Sequence, residues 1–216
     1  MNLLNYRIRN KKGKTIPDNL FLQIHILYMK KIQTLIVLFF ITAAAMAQSA
    51  VRFPETDKSP MDMSYYPANY PVLKIQNKAT EPLVTRVIYS RPQKNGRTIF
   101  GELIEYGKLW RLGANEATEI EFYKDVRMGG KKIRQGRYTL FAIPYRDKWT
   151  LILNKDTDTW GAFKYDEKKD VMRTDVPTQK NALPVENFSM SFEKSNGGFN
   201  LIIAWDDIFV SVPVFL

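Results

Sequence analysis

Cysteine is absent from the 216-residue chain, and histidine occurs once, as His25. No disulfide, thiolate nucleophile or thiolate metal ligand can form, and no residue exists to carry the lipid of a lipoprotein. His25 precedes the site where a secretory signal is expected to be cut, so the remaining domain has neither residue type. That excludes Ser-His-Asp and Cys-His catalysis, imidazole or thiolate zinc sites, and haem or iron–sulfur ligation by those side chains. No cofactor is implied. A strong charge bias is missing too. Of the formal net charge of +10, residues 1–47 supply seven Lys/Arg and one Asp, which leaves 25 basic against 21 acidic residues, an excess of four. With that excess read as spread along the chain, a nucleic-acid partner is not expected, since phosphate binding needs a concentrated basic surface.

What is present begins with an export signal. Met29-Lys30-Lys31, the apolar stretch Leu35 to Ala45 and then Ala45-Met46-Ala47 follow the charged, apolar and small-residue order of a signal peptide over residues 29–47, with cleavage before Gln48. Ile32 to Ala47 is sixteen residues, short of the about 20 needed for a span, so no stable membrane anchor is expected after cleavage. Residues 1–28 read as a mis-assigned start or a basic leader, with Met29 the expected initiator. The protein is expected to be secreted or periplasmic.

Residues 48–71 form a Pro- and Tyr-rich arm, in which Tyr65, Tyr66 and Tyr70 could staple the chain to a sheet. From residue 72 to 216 a single β domain is expected. Leu83 to Tyr89, Thr118 to Tyr123, Lys131 to Ile133, Arg137 to Ile143, Trp149 to Asn154 and Phe199 to Trp205 are short runs of β-branched and aromatic residues between turn residues. Phe188, Met190 and Phe192 alternate with polar neighbours, which puts them on one buried face. Gly129-Gly130 and Asp206-Asp207 read as turns. The expected fold is all-β, an antiparallel sandwich or barrel-like sandwich of about ten short strands preceded by a helical signal peptide. Gly101 to Tyr106 is the one helical stretch expected in the domain.

Ile88-Tyr89-Ser90-Arg91-Pro92, Lys94 to Gly101 and Tyr106 to Thr118 form long, idiosyncratic strings, as do Gly136 to Phe141, Trp149 to Asn154, Trp160-Gly161-Ala162-Phe163 and Tyr165-Asp166. In these the chain resembles a bacterial exported family, the domain of unknown function 2911, over roughly residues 55–215. The resemblance implies a secreted or periplasmic β domain with no assigned activity. Members of that family sometimes carry an asparagine synthetase label, which this chain contradicts: it has no amino-terminal cysteine and no Ser-Gly-Gly-x-Asp loop.

The densest polar cluster is Arg91, Arg97, Arg111, Asn115 and Glu116, on loop-like stretches. Guanidinium forks bind carboxylate or phosphate, and an Asn-Glu pair can orient a sugar hydroxyl; the competing reading is a self-satisfied network in which Arg111 pairs Glu116 or Glu102. Trp110 and Trp160 flank loops and are candidates for stacking on a sugar, whereas Trp149 and Trp205 lie in strand runs and belong to the core. Asp166 joins the candidate binding residues. Asn154, Asp156 and Asp158 alternate like the opening of a calcium loop, but Thr159 and Tyr165 stand where such a loop needs Gly and Glu, so only a weak, looser calcium site is left. Glu102, Glu105, Glu116, Asp156, Asp158 and Asp166 could supply a carboxylate pair for glycan hydrolysis. The favoured reading is a non-enzymatic exported β-sandwich whose loop face binds a small polar or glycan ligand or an envelope partner. The alternatives are a carboxylate-based glycan hydrolase and a purely structural envelope module.

Overall fold

A computed structural model describes residues 18–45 and 51–216. Residues 1–17 of the leader and the expected cut after Ala47 lie outside the described residues. The chain divides into two compact units, Met1–Glu55 and Thr56–Leu216.

In the first unit Asp18–Ala45 forms one helix, α1. It runs through Met29, so the apolar segment begins earlier than the sixteen residues counted from Ile32. Over Leu22–Phe40 it is long and apolar enough to cross a membrane by length and composition, a test that a signal sequence near the N-terminus also passes. The helix is consistent with a signal peptide.

The second unit is all-β. Its strands are β1 (Met61–Tyr66), β2 (Thr85–Ser90), β3 (Glu119–Phe122), β4 (Val126–Met128), β5 (Lys131–Ile133), β6 (Gly136–Pro144), β7 (Lys148–Asn154), β8 (Asp170–Ser195) and β9 (Gly198–Phe215). They form one antiparallel sheet in the order β1-β2-β3-β6-β7-β8-β9-β4-β5. The sheet folds over at β8, whose first half pairs with β7 (Trp149 opposite Val176, Leu153 opposite Met172) and whose second half pairs with β9. A bridge between Gln93 and Asn187 joins the continuation of β2 to β8, with Lys94 N donating to Glu186 O at 2.8 Å and Phe188 N to Pro92 O at 2.9 Å. This contact brings the chain after β2 back against β8 in an otherwise open sheet.

Nine strands meet the expectation of about ten, but Asp206-Asp207 does not turn the chain. Asp206 takes a left-handed φ of 54° inside β9, where the register against β8 shifts. Such a bulge absorbs extra residues and bends the strand without ending it. On the β8 side the extra length includes Pro184, which cannot donate to a ladder and is tolerated at a bulge. The segment 61–66 of the expected arm is the edge strand β1, and its Tyr66 ring stacks on Phe199 at 4.3 Å. Asn69, Tyr70 and Pro71 start a six-residue helix, α2 (Tyr70–Ile75), with proline in the first turn where its missing N–H costs nothing. Gly101 to Tyr106 is a succession of turns rather than a helix: Gly101 N bonds Ile104 O at 2.8 Å, and Gly101 sits at φ 98°.

Phe188, Met190 and Phe192 are buried, and Ser189 and Ser191 are not. They join Trp149, Trp205, Leu140, Leu151 and Leu201 in the main core between the two halves of the sheet. Central strand β6 buries both faces: Leu140 and Ala142 point into that core, while Phe141 meets Ile152 and Ala117 in a second cluster covered by Leu109, Ala162 and Tyr165. Two loops therefore lie over the outer face of β6 and β7. Their placement builds the candidate site.

Candidate functional site

Strand β3 pairs with β6 only from Gly136 to Thr139, which leaves the edge of β6 from Leu140 to Pro144 without a strand neighbour. Residues 107–118 take that place. Gly107 N donates to Pro144 O at 2.8 Å, Trp110 and Ala142 exchange bonds of 2.7 and 2.9 Å, and Leu140 N donates to Thr118 O at 2.8 Å. Between these anchors the chain loops out through Leu112 and Asn115, both in left-handed conformations at φ 56° and 58°. Ser90 Oγ holds the loop by accepting from Ala114 N at 2.7 Å. Trp110 is pinned by its indole N–H, which donates to Gly113 O at 3.2 Å.

Under this loop lies a cleft of about 400 Å³, lined by Ser59, Pro92, Arg97, Leu103 to Glu105, Lys108 to Arg111, Gly113, Ala114 and Trp205. Its floor is aromatic. Trp110 and Trp205 lie nearly parallel at 6.0 Å, and Trp110 also meets Trp149 edge-on at 5.7 Å and Phe188 at 5.2 Å. Trp110 is only 5 % exposed, so it is a core residue that shows one surface to the cleft and not the projecting platform its loop position suggested.

Arg111 is the unusual member. Among the described residues it has no ion pair and no side-chain hydrogen bond, and its Nε is buried without a partner. Neither Glu116 nor Glu102 pairs with it, so the expected self-satisfied network does not form. Burial pushes its pKa down, because removing a cation from water disfavours the charged form. Arg97 also lines the cleft, but its guanidinium is engaged locally, donating to Lys94 O at 2.9 Å and to Gln93 O. Lys108 and Glu105 are exposed at the rim. Glu105 is the one carboxylate among the lining residues.

The remaining candidates are placed elsewhere. Arg91 is a clamp between strands: it donates to Asp62 at 2.9 Å, to Ser189 Oγ at 2.9 Å and to Phe188 O at 3.3 Å. Asn115 and Glu116 pair with the 159–161 loop through their backbones, where Gly161 N meets Asn115 O at 2.9 Å and Glu116 bridges Trp160. Trp160 is 61 % exposed and the nearby Phe163 is 82 % exposed; neither lines the cleft. Asp166 caps the short 3-10 turn Glu167–Lys169 by accepting from Lys168 N at 3.0 Å.

The three calcium candidates each have partners of their own. Asn154 is buried; its amide donates to Asp166 O and to Asp170 at 2.7 Å, and its oxygen accepts from Asp156 N at 2.8 Å. Asp156 pairs with Lys169 at 3.0 Å and Asp158 with Arg137. Asp170 completes a network with Tyr165 and Arg173, in which Tyr165 Oη donates to Asp170 at 2.6 Å and Arg173 donates to both. Burial first, then the bond to the carboxylate, pushes the Tyr165 pKa up to about 12.

Sequence reasoning singled out Arg111 and Arg97 but missed Lys108, Ser59 and the contribution of Trp205. Lys108 lies inside the Tyr106 to Thr118 string, which was the available signal; Trp205 reads as core, and it is core as well as floor.

The chain belongs to the family described as Protein of unknown function (DUF2911), which it matches over residues 71–214. Neither a curated protein nor a solved structure matches the chain.

Proposed function

We propose that this member of the DUF2911 family is an exported, non-enzymatic β domain that binds a small polar ligand in the cleft beneath the 107–118 loop. The observation that carries the reading is Arg111, a partly buried cation on the wall of a preformed cleft with no acid paired to it among the described residues. Taking a cation out of water without a partner is costly, and a ligand acceptor that met the guanidinium would offset that cost. The cleft has the size and mixed lining of a small-molecule site. With Glu105 as its one carboxylate, it offers no pair of acids for glycoside hydrolysis, which favours binding over that chemistry. Export rests on the apolar helix α1 and the Ala-x-Ala pattern that follows it.

Thermal-shift screening of the purified protein against organic acids, amino acids, sugars and short peptides tests the reading, because a ligand of the native state raises the melting temperature by mass action. A hit lost in Arg111→Gln supports it; hits that survive unchanged in that variant place the ligand elsewhere. Trp160 and Phe163 supply a second reading, in which their exposed rings bind a glycan by stacking. Oligosaccharide binding abolished by Trp160→Ala and untouched by Arg111→Gln would favour it.

A further inference from the structure

We infer that the ligand of this cleft is an organic carboxylate with an apolar body, its carboxylate held by Arg111 and its body lying against Leu103, Ile104 and Leu109. The inference rests on the reading of the cleft as a binding site and narrows the class of ligand. The uncommitted cations of the lining are the Arg111 guanidinium and the rim amine of Lys108, since Arg97 is already engaged with the carbonyls of Gln93 and Lys94. A planar guanidinium matches a planar carboxylate in two parallel hydrogen bonds, and that of Arg111, on the cleft wall, has no ion pair or side-chain hydrogen bond among the described residues.

The rest of the lining excludes other classes by what it cannot offer. Both indole N–H groups of the floor are satisfied internally, by Gly113 O and Glu186 O at 3.2 Å each, so these nearly buried rings close the floor without offering the ligand a donor. Pro92, Leu103, Ile104 and Leu109 supply the apolar surface. Ser59 carries the one side-chain hydroxyl of the lining, too few partners for a polyol, whose every buried hydroxyl needs a bond. A phosphate dianion would call for more donors than one fork and one amine, and Glu105 at the same rim would repel it more than a monoanion.

Isothermal titration of the purified protein with three matched probes, 3-phenylpropanoate, its neutral primary amide and phenyl phosphate, tests the class. The expected result is a preference for the carboxylate over the amide of about tenfold or more. Arg111→Gln should bring the carboxylate to the level of the amide and leave the amide unchanged. Glu105→Gln, at an exposed position that disturbs no observed bond, should strengthen carboxylate binding by roughly two- to threefold, because it removes a like charge; it keeps the test open if the Arg111 variant folds poorly. Equal binding of acid and amide to the wild type would overturn the carboxylate assignment and leave the cleft as a site. Tighter binding of phenyl phosphate would overturn it in favour of a phosphate site. If no probe binds while an oligosaccharide does, in a manner that depends on Trp160, both the assignment and the cleft reading fall.

Discussion

Trp110, from the loop over β6, and Trp205, from β9, lie almost parallel with ring centroids 6.0 Å apart. The contact joins the cleft loop to the last strand of the fold through buried aromatic surface. Because Trp110 also meets Trp149, Phe188 and Phe100, its removal should leave a large void. Trp110→Ala is expected to cost about 3–5 kcal/mol in chemical denaturation. A cost below about 1 kcal/mol would mean the ring is not part of the core.

Arg111→Met should leave stability unchanged or raise it by up to about 2 kcal/mol, since the stem can still pack while the unpartnered guanidinium is gone. The measurement is the midpoint of urea unfolding without ligand. A clear loss would show that Arg111 has a structural partner after all.

Arg91→Ala should behave in the opposite way. Its three bonds tie β1 to β8, and their loss leaves the Phe188 carbonyl without that donor and Asp62 with only its bond from Met63 N, a cost of about 1 kcal/mol for a pair this exposed. Ligand affinity at the cleft should be unaffected, which a titration alongside the melting curve would check.

Gly198 opens β9, and a methyl group there would overlap the Val214 carbonyl oxygen and crowd the Phe215 Cα at 2.9 Å. Both obstacles are backbone and cannot swing aside. Gly198→Ala is therefore expected to destabilise by at least about 2–3 kcal/mol, whereas a side chain at Gly130 meets open space and has only its left-handed φ of 74° to contend with. Thermal melts of the two variants should rank them in that order.

Burial, then the bond to Asp170, pushes the Tyr165 pKa up to about 12, against 10.0 for an unperturbed tyrosine. Between those values the unfolded chain has lost this proton and the folded chain has kept it, so the contribution of Tyr165 to stability is complete below pH 10 and declines as pH rises toward 12. Ultraviolet titration should show one tyrosinate step at about 12 that is absent from Tyr165→Phe. Titration of all tyrosines near 10 would contradict the Asp170 network.

The alternation at 188–192 was readable because one face of that strand is core and the other is not. The first half of β8 was not readable. Between Asp170 and Glu186 it carries two prolines, several charges and only Met172 and Val176 as buried anchors, so its strand conformation comes from pairing with β7 and β9 rather than from any local pattern. The candidate site shows the same division. Arg111 could be picked out from its loop and its chemistry, but whether a carboxylate stands beside it depends on where residues far apart in sequence come to rest. Trp110 misled for a related reason: a loop that substitutes for a missing strand along β6 buries its side chains as a strand would.

The bridge between Gln93 and Asn187 spans 187 − 93 = 94 positions of chain, and the cleft that depends on it also needs Trp205 from the final strand. Contacts so distant in sequence form slowly, because the entropy of closing the intervening chain is lost before they reward it. The cleft is therefore expected to form late in folding, once the strands that supply its floor have paired. A chain truncated before β9 would lack the Trp205 half of the floor, so ligand binding should report the completion of folding rather than the local order of the 107–118 loop.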